Sequence, residues 1–259
     1  ELRRMRQTER YRPTALVTGA AQGLGRAYAE ELHRRGMSLI LVDRQAELLA
    51  EVAQGLGARA VPLDLAAGDA AEQLLEAVPE PLGLVVHSAA ISPIGPFADI
   101  DWEAHRRTIA TNVGGTLAVC LFATRRLAPP AGLVLVSSGS AISGAPLVAN
   151  YAATKAYVEV LACSLSAELE GIDVLAVVPG MINTPMTAAV PPRLDRAPWV
   201  RMLEPEVVAR ESLDDLGREV VSVPGGFGER AGFFAMGRVL PRRLALAVLS
   251  RTMHRLYPL

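Results

Sequence analysis

The chain is 259 residues long and 51% hydrophobic with few aromatics, which suits one α/β domain with a core of alanine, leucine and valine. Its net charge of −1 provides no global field for nucleic acid, and no apolar run reaches the roughly 18 residues of a membrane-spanning helix. Two cysteines and four histidines lack ligand spacing, which argues against a metal site, and no signal-type segment is seen, so a cytoplasmic protein is expected.

A short basic cluster, Arg3-Arg4-Met5-Arg6, reads as a solvated tail. Residues 14–17 then form a short buried strand that runs into Thr18-Gly19-Ala20-Ala21-Gln22-Gly23-Leu24-Gly25. A helix over residues 26–35 follows and is stopped by Gly36. Strand, glycine turn and helix N-terminus together make a phosphate site, because free backbone N–H groups and the helix dipole face an anion. Gly23 and Gly25 would allow close approach of a pyrophosphate and tight helix packing.

Residues 38–42 are a second buried strand with Asp43 at its carboxyl end, 18 residues beyond Gly25. An acid there accepts hydrogen bonds from both ribose hydroxyls of an adenosine and repels a 2′-phosphate, which favours NAD over NADP. Its other reading is an N-cap for a helix starting near Gln45. The adjacent Arg44 could meet a 2′-phosphate, but beside Asp43 it reads as stacking on adenine.

Residues 58–63 form a third strand that ends at Asp64-Leu65, before a helix over 69–78. The fourth strand, 84–86, ends at His87-Ser88-Ala89-Ala90, where small residues let a ligand lie against the backbone. A long helix over 101–127 carries Asn112 and then Gly114-Gly115, a combination that costs helix stability and marks a kink or a site. The fifth strand, 133–136, delivers Ser137-Ser138, and the sixth, 172–178, delivers Pro179-Gly180. This alternation specifies a doubly wound parallel sheet with helices on both faces and ligands beyond the carboxyl ends of the strands. Residues 183–203 read as a mobile loop with short helices, 204–216 as a helix and 220–223 as a seventh strand. After the turn Pro224-Gly225-Gly226, a basic amphipathic helix over 242–256 is expected to pack on the body or on a partner subunit rather than on a membrane.

Between the fifth and sixth strands lies Tyr151-Ala152-Ala153-Thr154-Lys155 on a helix, where positions four apart share a face. Of 26 basic residues, Lys155 is the only lysine. A compact ammonium beside a phenol favours the phenolate and lowers the tyrosine pKa from about 10 toward the range of a general acid–base. Arginine, broad and planar, cannot do this in the same space.

These residues resemble the short-chain dehydrogenase/reductase family in its short, single-domain branch, over roughly residues 14–184. The resemblance rests on T-G-A-A-Q-G-L-G at 18–25, Asn112, Ser138 placed 13 residues before Tyr151, Y-A-A-T-K at 151–155 and P-G-M-I-N-T at 179–184. It implies a Rossmann-like core over residues 12–180, with residues 181–259 supplying the substrate lid, last strand and C-terminal helix. It implies that Tyr151 exchanges the substrate's hydroxyl proton and that Lys155 holds the nicotinamide ribose and acidifies the phenol. Ser138 would hydrogen-bond the reacting oxygen, and Asn112 would support a water linking Lys155 to solvent. Gly19, Gln22, Gly23, Leu24, Gly25, Asp43, Arg44, Asp64, Leu65, Ser88, Ala89, Ala90, Pro179, Gly180, Ile182 and Thr184 would line an NAD cofactor together with Tyr151 and Lys155.

The family's usual N-N-A-G after the fourth strand is replaced by His87-Ser88-Ala89-Ala90, which removes the amides that steady that strand. The resulting expectation is an NAD(P)-dependent oxidoreductase interconverting a secondary alcohol and a ketone, with a hydrophobic substrate, as a homodimer or homotetramer. The contrasting readings are a catalytically silent dinucleotide-binding regulator on the same fold and a sugar-nucleotide epimerase or dehydratase. The latter needs a longer substrate domain and a differently spaced glycine motif.

Overall fold

The computed structural model describes residues 8–258, so the Arg3-Arg4-Met5-Arg6 cluster lies outside the described residues. Seven parallel strands form one sheet in the order β3-β2-β1-β4-β5-β6-β9. They are β1 Thr14–Thr18, β2 Ser38–Asp43, β3 Arg59–Pro62, β4 Leu82–His87, β5 Leu127–Val136, β6 Ile172–Val177 and β9 Val221–Ser222. The chain winds outward from β1 to β3 and then returns to place β4 on β1's other side. That reversal opens a crevice beyond the carboxyl ends of β1 and β4, where ligands of such sheets sit.

The strands are apolar on both faces because helices cover both. Val17, Leu41, Val86 and Val134 point to one side, where they meet Tyr28 and Leu32 of helix α1 (Gly23–Arg34). Leu16, Ile40, Val85 and Leu133 point to the other, where they meet Phe122 and Val158. α1 ends as its sequence specifies: Gly36 takes φ +81°, its N–H reaches the His33 carbonyl and Met37 N–H reaches that of Leu32. Five further helices complete the body: α2 (Ala46–Leu56), α3 (Ala70–Ala77), α4 (Trp102–Ile109), α5 (Gly115–Arg126) and α6 (Ala149–Glu168).

The helix expected over 101–127 is interrupted where Asn112 and the glycine pair fall. Ala110–Gly114 forms a π-turn between α4 and α5. Gly115 has a separate reason to be glycine: a Cβ there would lie 3.0 Å from Leu65 Cβ.

Three expectations needed correction. β5 starts at Leu127 rather than at 133, because Pro129 and Pro130 extend the chain and their missing N–H groups fall where the β4–β5 register shifts. The segment over 183–203 is anchored at both ends: β7 (Met181–Ile182) pairs with β8 (Met202–Leu203), and α7 (Pro185–Ala188) lies between them. After α8 (Pro205–Asp215), the stretch beyond Gly226 also forms α9 (Phe227–Phe234) and a second π-turn before α10 (Arg242–Leu256). No helix among the described residues is long and apolar enough to cross a membrane.

Candidate active site

The crevice is built first from backbone. Gly19 has φ +67°, and a Cβ there would fall 2.8 Å from the Ala89 backbone, so the ends of β1 and β4 can touch only at glycine. A Cβ on Gly25 would fall 2.0 Å from the Gly19 carbonyl, which forces glycine where α1 leaves the turn. Gln22 caps α1 without a side-chain bond, so its first N–H groups face the crevice. Thr184 closes the opposite wall, with its Cβ 3.4 Å from where a Gly23 Cβ would stand. The turn therefore keeps a cradle that side chains would fill, and it fits a dinucleotide's pyrophosphate at a helix N-terminus.

Asp43 ends β2 beside this cradle. One of its oxygens accepts from Ala21 N at 3.2 Å and the other from Gln45 N at 3.0 Å. It braces the glycine turn while each oxygen keeps a free lone pair, and it is not the N-cap of α2, which is Gln45. Arg44, Gln45, Pro62, Leu63 and Asp64 line an open cleft of about 500 Å³ next to it. Asp64 accepts from Ala66 N and from Arg107 Nη2 at 2.8 Å, and these bonds hold its carboxyl below the usual range against the opposing effect of its partial burial. The Leu65 and Leu24 side chains turn into the core, so only their main chains can face a ligand.

The strand end that departs from the family pattern is rebuilt around His87. Its Nδ1 lies 2.8 Å from Thr18 Oγ1 and its Nε2 lies 3.0 Å from Thr116 Oγ1. Thr116 uses its own proton on the Asn112 carbonyl at 2.6 Å, so it must accept from His87. That fixes the proton on Nε2 and leaves Nδ1 to accept from Thr18. Burial, helped by the Lys155 charge, pushes the His87 pKa down to about 3 and keeps the ring neutral. Thr18 Oγ1 in turn accepts from Ser88 N at 3.3 Å and Ala89 N at 3.5 Å. One histidine thus ties β1, β4 and α5 together where the family pattern has amides.

Asn112 is buried, and its amide is fully engaged. Its Oδ1 accepts from Ile91 N at 2.9 Å, and its Nδ2 donates to Ile91 O at 2.9 Å and Thr154 Oγ1 at 3.0 Å. It reaches Lys155 only through the neighbouring Thr154.

Lys155 and Tyr151 share the inner face of α6. The Lys155 ammonium donates to the Val136 carbonyl at 2.7 Å and lies 5.7 Å from the Tyr151 ring centroid. Ser137 Oγ donates to Lys155 O at 2.7 Å, which seats this helix turn on the end of β5. Burial lowers the Lys155 pKa to about 8. Burial also raises the Tyr151 phenol above its ordinary value, against a smaller lowering by a hydrogen bond with Ser138. In the ligand-free chain dehydration sets the direction for the phenol, while the Lys155 ammonium uses one of its three protons on the Val136 carbonyl.

Ser140 was not anticipated. Its N–H and its hydroxyl both donate to Ser138 Oγ, at 3.2 and 3.1 Å, so the Ser138 proton is the one left for the bond with the Tyr151 oxygen. The S-S-G-S run at 137–140 was the available signal. Gly139 N–H donates to Pro179 O at 2.8 Å, which brings Pro179-Gly180 alongside. Met253 was also missed. It packs from α10 against the same Ala145, Val148 and Ala152 cluster that Tyr151 and Ile94 pack against, and the cover continues through Leu147, Met181, Val190 and Leu256. Met253 stands 102 residues beyond Tyr151, so no local pattern could have announced that the two share a cluster.

The profile described as "short chain dehydrogenase" matches residues 13–195. The chain is 34% identical over 207 residues to an L-xylulose reductase of Bos taurus, covering 75% of this chain and 84% of that one. Its fold matches the structure of a 7β-hydroxysteroid dehydrogenase with TM-score 0.78 at 26% identity, over 94% of this chain and 98% of that one. It also matches a short-chain dehydrogenase from Sphingobium yanoikuyae in complex with NADPH, with TM-score 0.74 at 26% identity, over 85% and 91% of the two chains. A doubly wound sheet that carries a glycine turn, a strand-end serine and a helical tyrosine–lysine pair at its carboxyl edge now has its relatives beside it, and the chain belongs to the short-chain dehydrogenase family of alcohol/ketone oxidoreductases.

Proposed function

We propose that the protein interconverts an apolar secondary alcohol and its ketone with NAD(H), using Tyr151 as proton donor and acceptor. The observation that carries this reading is the meeting of Ser138, Tyr151 and Lys155 at the carboxyl end of β5, on the same sheet edge as the glycine turn after β1. When bound, the nicotinamide supplies the hydride. A substrate oxygen seated between Ser138 and Tyr151 would take over the Ser138 proton, which Ser140 aims by filling the Ser138 oxygen's lone pairs. Tyr151, protonated at neutral pH, donates to that oxygen during reduction. Lys155 holds a positive charge beside the developing anion, and Asn112 keeps Ile91 and Thr154 in register behind it. Residues 12–180 supply this core, and residues 181–259 cover the substrate with Met181, Val190 and Met253. An apolar cover of this kind suits a hydrophobic substrate.

Asp43 supports NAD over NADP, since its carboxylate sits where a 2′-phosphate would repel it. A panel of ketones and alcohols assayed with NADH, NADPH, NAD and NADP tests chemistry and cofactor together, and NADH is expected to give the higher kcat/KM. Asp43→Asn keeps the shape but removes the charge. It should cost NADH about tenfold in kcat/KM while NADPH is unchanged or improved. A wild-type preference for NADPH would contradict the assignment.

The pH profile follows from the same groups. Reduction needs the phenol protonated and Lys155 charged, and Lys155 loses its proton near pH 8. Ketone kcat/KM should therefore be level below about pH 8 and fall above it, while alcohol oxidation rises with pH. A reduction rate still climbing at pH 9 would reject this use of the two groups.

The regulator reading loses its motive, because the altered strand end is repaired by His87. Ile109, Leu117 and Leu121 on and beside α4 and α5, with Val160 on α6, are exposed apolar residues suited to a homodimer or homotetramer. A cytoplasmic location completes the proposal.

A further inference from the structure

The near-neutral total hides a segregated charge. Residues 227–259 hold six arginines and one acidic residue, whereas residues 1–226 hold 20 basic and 26 acidic residues. Of these arginines, Arg230 pairs with Asp215 and Arg238 faces Glu159. Among the described residues no carboxylate pairs with Arg242, Arg243, Arg251 or Arg255 of α10.

α10 faces two ways. Ala245 is buried, and Met253 and Leu256 turn inward onto the substrate cover. Leu244, Val248, Arg251 and Arg255 follow at i, i+4, i+7 and i+11, a single outward stripe. Leu244 is 55% exposed and Val248 47%, and the Arg255 guanidinium lies 5.0 Å from the ring centroid of Trp199, itself 57% exposed on the substrate cover. α9 adds Phe227, 88% exposed, and Phe234, 61% exposed, seven residues apart on one helix face.

We propose that this face docks on an anionic phospholipid bilayer as a peripheral, in-plane contact. Apolar and aromatic side chains interleaved with unpaired arginines are what an interfacial helix presents: the chains enter the acyl boundary and the guanidinium groups meet phosphate. A second copy fits less well, since an isologous contact would set one arginine cluster against its own image. Docking would turn the substrate cover toward the lipid. The claim concerns binding alone and holds whichever alcohol the crevice oxidises.

Co-sedimentation of the full chain with phosphatidylcholine vesicles, with and without phosphatidylglycerol, tests it. Binding should be at least about tenfold stronger on the anionic vesicles and weaken with salt, each arginine contributing about fivefold. The triple variant Arg242→Glu, Arg243→Glu, Arg251→Glu should bring binding down to the neutral-vesicle level. Leu244→Ser with Val248→Ser should lower it at least about fivefold. Both variants should keep wild-type turnover of a water-soluble ketone, which reports an intact fold. No binding by wild type, or equal binding to both vesicles, overturns the proposal. So does a light-scattering mass in which Leu244→Ser with Val248→Ser splits an oligomer while vesicle binding is unchanged.

Discussion

Tyr151→Phe is expected to lower kcat for ketone reduction by about 10²–10⁴ while NADH binding stays within about twofold of wild type. The phenol oxygen is the one group in the crevice able to pass a proton to the reacting oxygen and receive it back. Ser138 can orient that oxygen, and the Lys155 ammonium is turned to the Val136 carbonyl. Phenylalanine keeps the ring against the Ala145, Val148 and Ala152 cluster, so packing is preserved. Loss of turnover with NADH affinity retained identifies a proton-transfer role. A regulator would show no turnover in the wild type either. Measured kcat and a fluorescence titration of NADH separate these outcomes.

Lys155→Met is expected to abolish turnover and yet stabilise the cofactor-free protein at pH 7 by about 1–2 kcal/mol, or about 3–6 °C in Tm. The fold depresses the Lys155 pKa from 10.5 to about 8. Below about pH 8 the group is charged in both folded and unfolded chains, so the fold bears the full cost of a dehydrated ammonium, on the order of 3 kcal/mol. Between about pH 8 and 10.5 the folded chain sheds its proton first, the cost fades and wild-type stability rises with pH. Methionine removes the charge and keeps the stem, but it leaves the Val136 carbonyl unpaired, which offsets about 1 kcal/mol. Thermal melts at pH 7 and pH 10.5 should show the gain shrinking toward zero at the higher pH. A variant that melts below wild type at pH 7 would show that the ammonium is a net stabiliser.

The features legible in the chain were those with a local period. Buried strands alternating with helices dictated the doubly wound sheet, Gly36 ended its helix as read, and four-residue spacing placed Tyr151 and Lys155 on one face. Asn112 and its glycines marked the π-turn for the reason foreseen, a helix weakened at that point. What sequence spacing could not supply was dehydration. The phenol shifts upward because it is buried, beside a cluster that also receives Met253 from the far end of the chain. His87 looked like a missing amide until Thr18 and Thr116 were seen on its two nitrogens. Residues 227–239 lack a clean apolar stripe, so α9 and its π-turn gave no signal beyond a longer tail.

Everything turns on hydrogen moving between a nicotinamide and a carbonyl carbon under the control of Tyr151. Incubating the enzyme with NADH deuterated at the transferring carbon and an apolar ketone, then locating the label, reads this directly. Deuterium on the carbinol carbon with wild type, and none with Tyr151→Phe although NADH is still bound, is the predicted result. NADH bound by wild type with no label reaching any ketone of the panel would contradict it.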